Sequence, residues 1–221
     1  MSTSALTLRQ IRFTNKAFWR NPAAAFFTFV FPLMFLVIFA TLLGSGTVKI
    51  NGLDFNQSTY YVASMSVFAL ITACYTNLAI SVTFQRDAGI LKRIRGTPLP
   101  GGSYMGARVV HAMLMAVVLV VICSAFGWAF YDAVIPSGVS LFRTVVVVLV
   151  GSASFAAMGL ALTPVIPNPD AAPPIVNATI LPLLFISGIF FPVQDDAPQW
   201  IKTISDIFPV KHLVDAYLGA F

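Results

Sequence analysis

Five stretches of this chain, residues 23–43, 60–84, 109–130, 144–165 and 175–191, are almost wholly apolar and contain no Asp, Lys or Arg. A lipid hydrocarbon core takes about 20 apolar residues to cross as a helix. Lipid offers no partners for backbone N–H and C=O groups, so each stretch must pair its own and is expected to be helical. The predicted fold is therefore an all-α, polytopic helical membrane protein with five spanning helices in one transmembrane domain over residues 1–221. Charged residues make up only 10% of the chain, against roughly 25% in a soluble domain, so a soluble globular fold is excluded. Cys74 and Cys123 fall inside apolar stretches and read as small buried hydrophobes. No CxxC or metal-ligand spacing accompanies them, and no metal site is expected.

Basic residues beside the apolar stretches set the orientation. The N-terminal segment holds Arg9, Arg12, Lys16 and Arg20, and the connection after the second stretch holds Arg86, Lys92, Arg93, Arg95 and Arg108. The other side has only Lys49, Arg143, Lys202 and Lys211. The N-terminus and the 85–108 connection are thus expected in the cytoplasm, and five spans put the C-terminal tail outside. The first stretch is longer than the 7–15 residue apolar region typical of a cleavable signal, and is read as a span. Pro164, Pro167, Pro169, Pro173 and Pro174 cannot continue a regular helix and predict a tight turn between the fourth and fifth spans. The basic clusters flank spans and form no aromatic-interleaved stripe, so no nucleic-acid partner is expected.

Two segments outside the spans carry more pattern than topology requires. Residues 1–22 interleave Leu8, Ile11, Phe18 and Trp19 with the four basic residues, the composition of a helix lying in the membrane interface. Residues 85–98 combine an apolar helical face (Ile90, Leu91, Ile94) with Arg86, Asp87, Lys92, Arg93 and Arg95, and a Gly/Pro-rich stretch stops the helix. No Gly-x-x-x-x-Gly-Lys-Ser/Thr string occurs, so any ATP would be bound by another polypeptide. In the second span Thr72 and Thr76 share a face, as do Asn77 and Ser81; interhelical hydrogen bonds and a cargo path both stay open for them. Ala153, Ala157 and Ala161, with Gly151 and Gly159, predict close helix packing of the fourth span. His111, near Arg108, reads as an interfacial residue. The spans hold no charged pair for ion coupling and no nucleophile–base set, which disfavours a secondary transporter and an intramembrane enzyme.

The run Gln85-Arg86-Asp87-Ala88-Gly89-Ile90-Leu91-Lys92-Arg93-Ile94-Arg95-Gly96-Thr97-Pro98-Leu99 resembles the cytoplasmic coupling segment of type-2 ABC exporter permeases, most closely the bacterial drug-resistance type related to the daunorubicin exporters. Leu183-Leu184-Phe185-Ile186-Ser187-Gly188-Ile189-Phe190-Phe191-Pro192-Val193, followed by Ala197-Pro198-Gln199-Trp200-Ile201, resembles that family's fifth span and the external turn after it. Ile207-Phe208-Pro209-Val210-Lys211-His212-Leu213-Val214-Asp215-Ala216 resembles the stretch leading to its last span.

The resemblance implies a multi-pass cell-membrane permease subunit that is not itself an enzyme. It would work with a second permease copy and a separate cytoplasmic ABC ATPase that holds ATP and Mg, and would export an apolar or amphipathic, drug- or lipid-like cargo. Residues 85–98, with Arg86, Asp87, Ile90, Leu91, Lys92, Arg93, Ile94 and Arg95, would contact the ATPase. Residues 1–22 would form the family's elbow helix, with Arg9, Arg12, Lys16, Trp19 and Arg20 at the interface. Thr72, Thr76, Asn77 and Ser81 would be the candidate cargo path, and 192–221 an external re-entrant segment whose apolar side is Trp200, Ile201, Ile204, Ile207 and Phe208. The family has six spans where five are read here. That leaves a truncated or non-transporting membrane scaffold as the alternative expectation.

Overall fold

The computed structural model describes residues 3–44, 46–50, 53–97, 99–134, 136–191 and 198–220. Ten α-helices are seen among them. The first, α1 (Thr3–Trp19), lies beside the bundle and is followed by α2 (Pro22–Leu43). The junction is local chemistry: the Asn21 side chain accepts from the Ala24 amide at 3.2 Å, and Pro22 occupies the first helical position. A short antiparallel hairpin, β1 (Thr47–Ile50) with β2 (Leu53–Asn56), pairs Thr47 with Asn56 and Ile50 with Leu53. The hairpin adds a two-stranded feature that the apolar pattern did not signal.

The second span is one continuous 31-residue helix, Gln57–Asp87. It consists of α3 (Gln57–Ile71), a π-helical turn (Thr72–Thr76) and α4 (Asn77–Asp87). It is the centre of the molecule. Two thirds of its apolar window is buried, against a third or less for the other long helices. Around it stand α2, α6 (Gly101–Tyr131) and α7 (Val139–Leu162, extended by a 3-10 turn, Thr163–Val165). Their outer faces expose Phe26, Phe27, Val121, Trp128, Phe142 and Val150. An apolar rim of that extent fits lipid, not water.

These four helices are long and apolar enough to cross a membrane. The fifth stretch gives a shorter helix, α8 (Ala172–Ile186), 15 residues with Pro173 and Pro174 in its first turn. At 1.5 Å per residue it is about 22 Å long, short of a hydrocarbon core of about 30 Å. It stops because Gly188 takes a left-handed φ of 81°, and the Tyr60 hydroxyl donates to the Gly188 carbonyl. The apolar residues 187–191 therefore lie beyond the helix. The other predicted boundaries move outward: the second and third spans run to Asp87 and from Gly101, and the fourth starts at Val139. At about 46 Å, the two 31-residue helices are longer than a hydrocarbon core of about 30 Å. After α8 come α9 (Gln199–Ile207) and α10 (Pro209–Leu218), which packs on α3 and α7 through Val210, Leu213, Val214 and Tyr217.

Candidate functional site

The predicted coupling segment is not one helix. α4 ends at Asp87, Gly89 adopts φ 71°, and α5 (Ile90–Arg95) starts in a new direction. Glycine serves here because a left-handed φ strains residues that carry a Cβ. α5 is closed by Thr97, whose hydroxyl donates to the Ile94 carbonyl at 2.7 Å. Asp87, Ile90, Lys92 and Arg93 are exposed, while Leu91 and Ile94 are half-buried. The side chain of Arg95, like Pro98, lies outside the described residues. Arg86 is half-buried, unlike Asp87 beside it. It donates through Nη1 to the Thr163 carbonyl at 2.7 Å and through Nη2 to the Ile166 carbonyl. Its guanidinium ties the end of α4 to the proline-rich turn between α7 and α8.

α1 flanks the same end of the bundle. Arg9, Arg12, Lys16, Trp19 and Arg20 are all exposed. The Arg9 guanidinium lies 5.7 Å from the Phe13 ring centroid. Trp19 stacks on Phe29 of α2 at 5.5 Å, and Phe18 reaches His111 of α6 at 5.7 Å, which fixes the helix against the bundle.

The four polar residues of the second span divide between two cavities. Thr72 and Thr76 line one of about 320 Å³ bounded by α2 and α8, with Phe27, Phe31 and Asn177. Ser81 lines another of about 440 Å³ beneath α1, with Thr14, Gln85, Arg108 and His111. Asn77 borders both, and its Nδ2 donates to Thr28 Oγ1 at 2.9 Å. Thr72 and Thr76 are the two ends of the π turn itself, while Asn77 and Ser81 belong to α4.

Arg108 had counted only as a topology charge, yet it is 8% exposed. Its Nη2 donates to Ser81 Oγ at 2.7 Å, and the Tyr104 ring lies 5.9 Å from the guanidinium. Tyr104 in turn donates to Gln85 Oε1. His111 is likewise buried within the bundle, 7% exposed. The available signal was spacing, since Tyr104, Arg108, His111 and Met115 recur at helical intervals and share one face.

On α7 the small residues separate by role. Gly151 and Gly159 give the close approach. A Cβ at Gly151 would fall 2.5 Å from Leu213 Cδ1, and one at Gly159 2.8 Å from the Tyr75 carbonyl oxygen. Ala153, Ala157 and Ala161 instead face outward, exposed. The predicted alanine packing does not occur within the chain, because the glycine face, about 160° round the helix, is the one turned to the π turn and α10.

In the C-terminal segment Lys211 Nζ meets Asp206 Oδ1 at 2.6 Å, and this hydrogen bond holds the Asp206 carboxyl below the usual carboxylate range. Ile207 is exposed, and Ile204 and Phe208 are half-buried. Residues 192–197 and the side chains of Trp200 and Ile201 lie outside the described residues.

The family model described as "ABC-2 type transporter" matches residues 2–221. A candidate transport permease of Bacillus subtilis (strain 168), YvfS, is 22% identical over 193 residues, covering 87% of this chain and 76% of that protein. A candidate multidrug ABC transporter permease of Escherichia coli (strain K12), YbhR, is 26% identical over 153 residues, covering 68% of this chain. That match takes in only 40% of YbhR.

Proposed function

The chain belongs to the ABC-2 type transporter family, and from that premise we propose that it is the subunit through which a separate ATPase drives export of an amphipathic or apolar cargo. Membership makes it a multi-pass membrane permease of an ABC transporter. ATP and Mg belong to the partner in this reading, and the chain supplies the passage and the contact that drives it. The membrane is the cell membrane, with the N-terminus cytoplasmic, on the strength of the basic residues gathered in α1 and α5. A drug-like cargo agrees with the multidrug name carried by YbhR. It agrees too with the polar but uncharged residues of the cavity between α2 and α8, Thr72, Thr76, Asn77 and Asn177, which suit an amphipathic molecule better than an ion.

The observation that carries the coupling reading is the break at Gly89. It sets α5 apart from the long second span as a short element with Ile90, Lys92 and Arg93 exposed. A helix that only fixed topology would have no need of that separation. Arg86, three residues before the break, links the same point to the α7–α8 turn. A displacement of α5 would thus reach both the central helix and the fourth and fifth apolar segments. A second copy of the chain is part of the proposal, and the outward alanine row on α7 supports it because small residues let helices approach closely.

The test is co-purification of the partner ATPase with the chain and with an Arg93→Ala, Ile94→Ala double variant. Both residues lie on the short α5 and neither is fully buried, so the bundle should fold unchanged. Loss of association and of ATP-driven transport is expected. Undiminished association and transport would count decisively against α5 as the contact.

A further inference from the structure

The cavity beneath α1 holds a charge with nothing to neutralise it. Arg108 is more than nine-tenths buried, and its nearest polar contact is a neutral hydroxyl. Ser81 gives its own proton to the Leu78 carbonyl, so only a lone pair is left for the guanidinium. Arg108 Nε has no partner, and neither has Nε2 of the equally buried His111. No carboxylate lines the cavity, and the one ion pair among the described residues is Lys211–Asp206, elsewhere in the fold. Buried charges in proteins are normally paired. Here the guanidinium borders a cavity instead of an acid.

The space has a second character. Phe18, Ile80, Phe84 and Met115 form an apolar wall beside the donors, and Phe84 is half-exposed at the rim. The roof is α1, whose exposed Leu8, Phe13 and Trp19 alternate with basic residues. That mixed surface suits the headgroup layer of a membrane. At about 440 Å³ the cavity falls in the range of small-ligand sites. We propose that it binds the phosphate of an anionic membrane lipid, with Arg108 carrying the charge and the apolar wall the start of an acyl chain. The group recognised is a phosphate oxyanion. The apolar wall favours a lipid as its source over free phosphate. The proposal stands apart from the transport reading, because it concerns this chain alone and needs neither ATP nor the ATPase.

The experiment measures binding to the purified full chain in detergent by native mass spectrometry. The probes are phosphatidylglycerol, diacylglycerol with the same acyl chains, and inorganic phosphate. Two variants are compared with the parent: Arg108→Gln, which removes the charge, and Ala17→Trp, which fills the cavity from its exposed edge. Circular dichroism and gel filtration check the fold. Phosphatidylglycerol should be retained over diacylglycerol, and each variant should weaken it by about tenfold, the worth of one lost hydrogen bond to a charged group. If Arg108→Gln does not fold, Ala17→Trp carries the comparison. Retention of inorganic phosphate alone, lost in the same variants, would support the site with the free anion as its ligand. Equal retention of phosphatidylglycerol by parent and folded variants, or of diacylglycerol as well as phosphatidylglycerol, would overturn it.

Discussion

Replacing Gly159 by Ala tests how tightly α7 is seated on the central helix. A Cβ there would meet the Tyr75 carbonyl oxygen at 2.8 Å, with the Cys74 carbonyl oxygen and Tyr75 Cα at 3.1 Å. All three are backbone atoms of the π turn and cannot swing aside. Ordinary contacts begin at about 3.5 Å, so the helices must part by several tenths of an ångström. Overpacking of this kind costs about 1–3 kcal/mol. Alanine also gains up to about 1 kcal/mol over glycine in a helix, which would mask part of the loss. Gly106 of α6 removes that ambiguity, since a Cβ there meets nothing within 4 Å. The difference between Gly159→Ala and Gly106→Ala isolates the clash, at about 1–3 kcal/mol or several degrees in melting temperature. Cys74 and Cys123 are both fully buried, so a thiol-reactive dye reports unfolding in detergent. A Cys74→Ala background leaves Cys123 of α6 as a reporter away from the clash. Gly159→Ala melting level with or above Gly106→Ala would refute the close seating of α7 on the π turn.

Arg86→Ala should cost about 2 kcal/mol by removing two charge-assisted bonds to the α7–α8 turn, and Arg86→Lys should recover at most one of them; the same dye assay reads both, with protease cleavage between 163 and 170 as a local measure. Gly89→Ala should leave the stability within about 1–2 kcal/mol of the parent, the usual strain of a left-handed alanine, yet weaken ATPase association by re-aiming α5; intact association would show that the direction of α5 is immaterial. The Asp206 carboxyl titrates lower in the folded chain than in the unfolded one, so its contribution is present above the ordinary carboxylate pKa of 3.8 and is lost as pH falls through the depressed folded value. Amide protection across the α9–α10 junction, taken relative to the intrinsic exchange rate at each pH, should therefore fall below about pH 4 in the parent, and Asp206→Asn should remove that pH step; a step that persists in the variant would assign it to another group.

The apolar stretches carried the architecture because lipid leaves a long uncharged segment no stable option but a helix. Their ends were less legible. Gly101 and Gly102 look like a turn, but Pro100 launches α6 through them, its carbonyl accepting from the Ser103 and Tyr104 amides. α8 ends early at a left-handed glycine that hydropathy does not register. The break within the coupling segment was hidden in the same way, since Ala88-Gly89 interrupts an amphipathic pattern without changing its composition. Arg108 shows the opposite limit. Its charge was obvious and its burial was not, because burial depends on α1 folding back over α6. The inward turn of Arg86 has the same origin, as its two acceptors lie 77 and 80 residues further along the chain.

The π turn at Thr72–Thr76 makes the second span a screw with one residue too many in its thread. Deleting any one of those five residues would restore ordinary α pitch, and everything beyond would rotate by about 100° and retract by about 1.5 Å. Asn77 would leave Thr28, Ser81 would leave Arg108, and Arg86 would leave the α7–α8 turn, all in a single step. The wall of the α1 cavity and the anchor of the coupling segment thus share one phase, set midway along the helix by a single inserted residue.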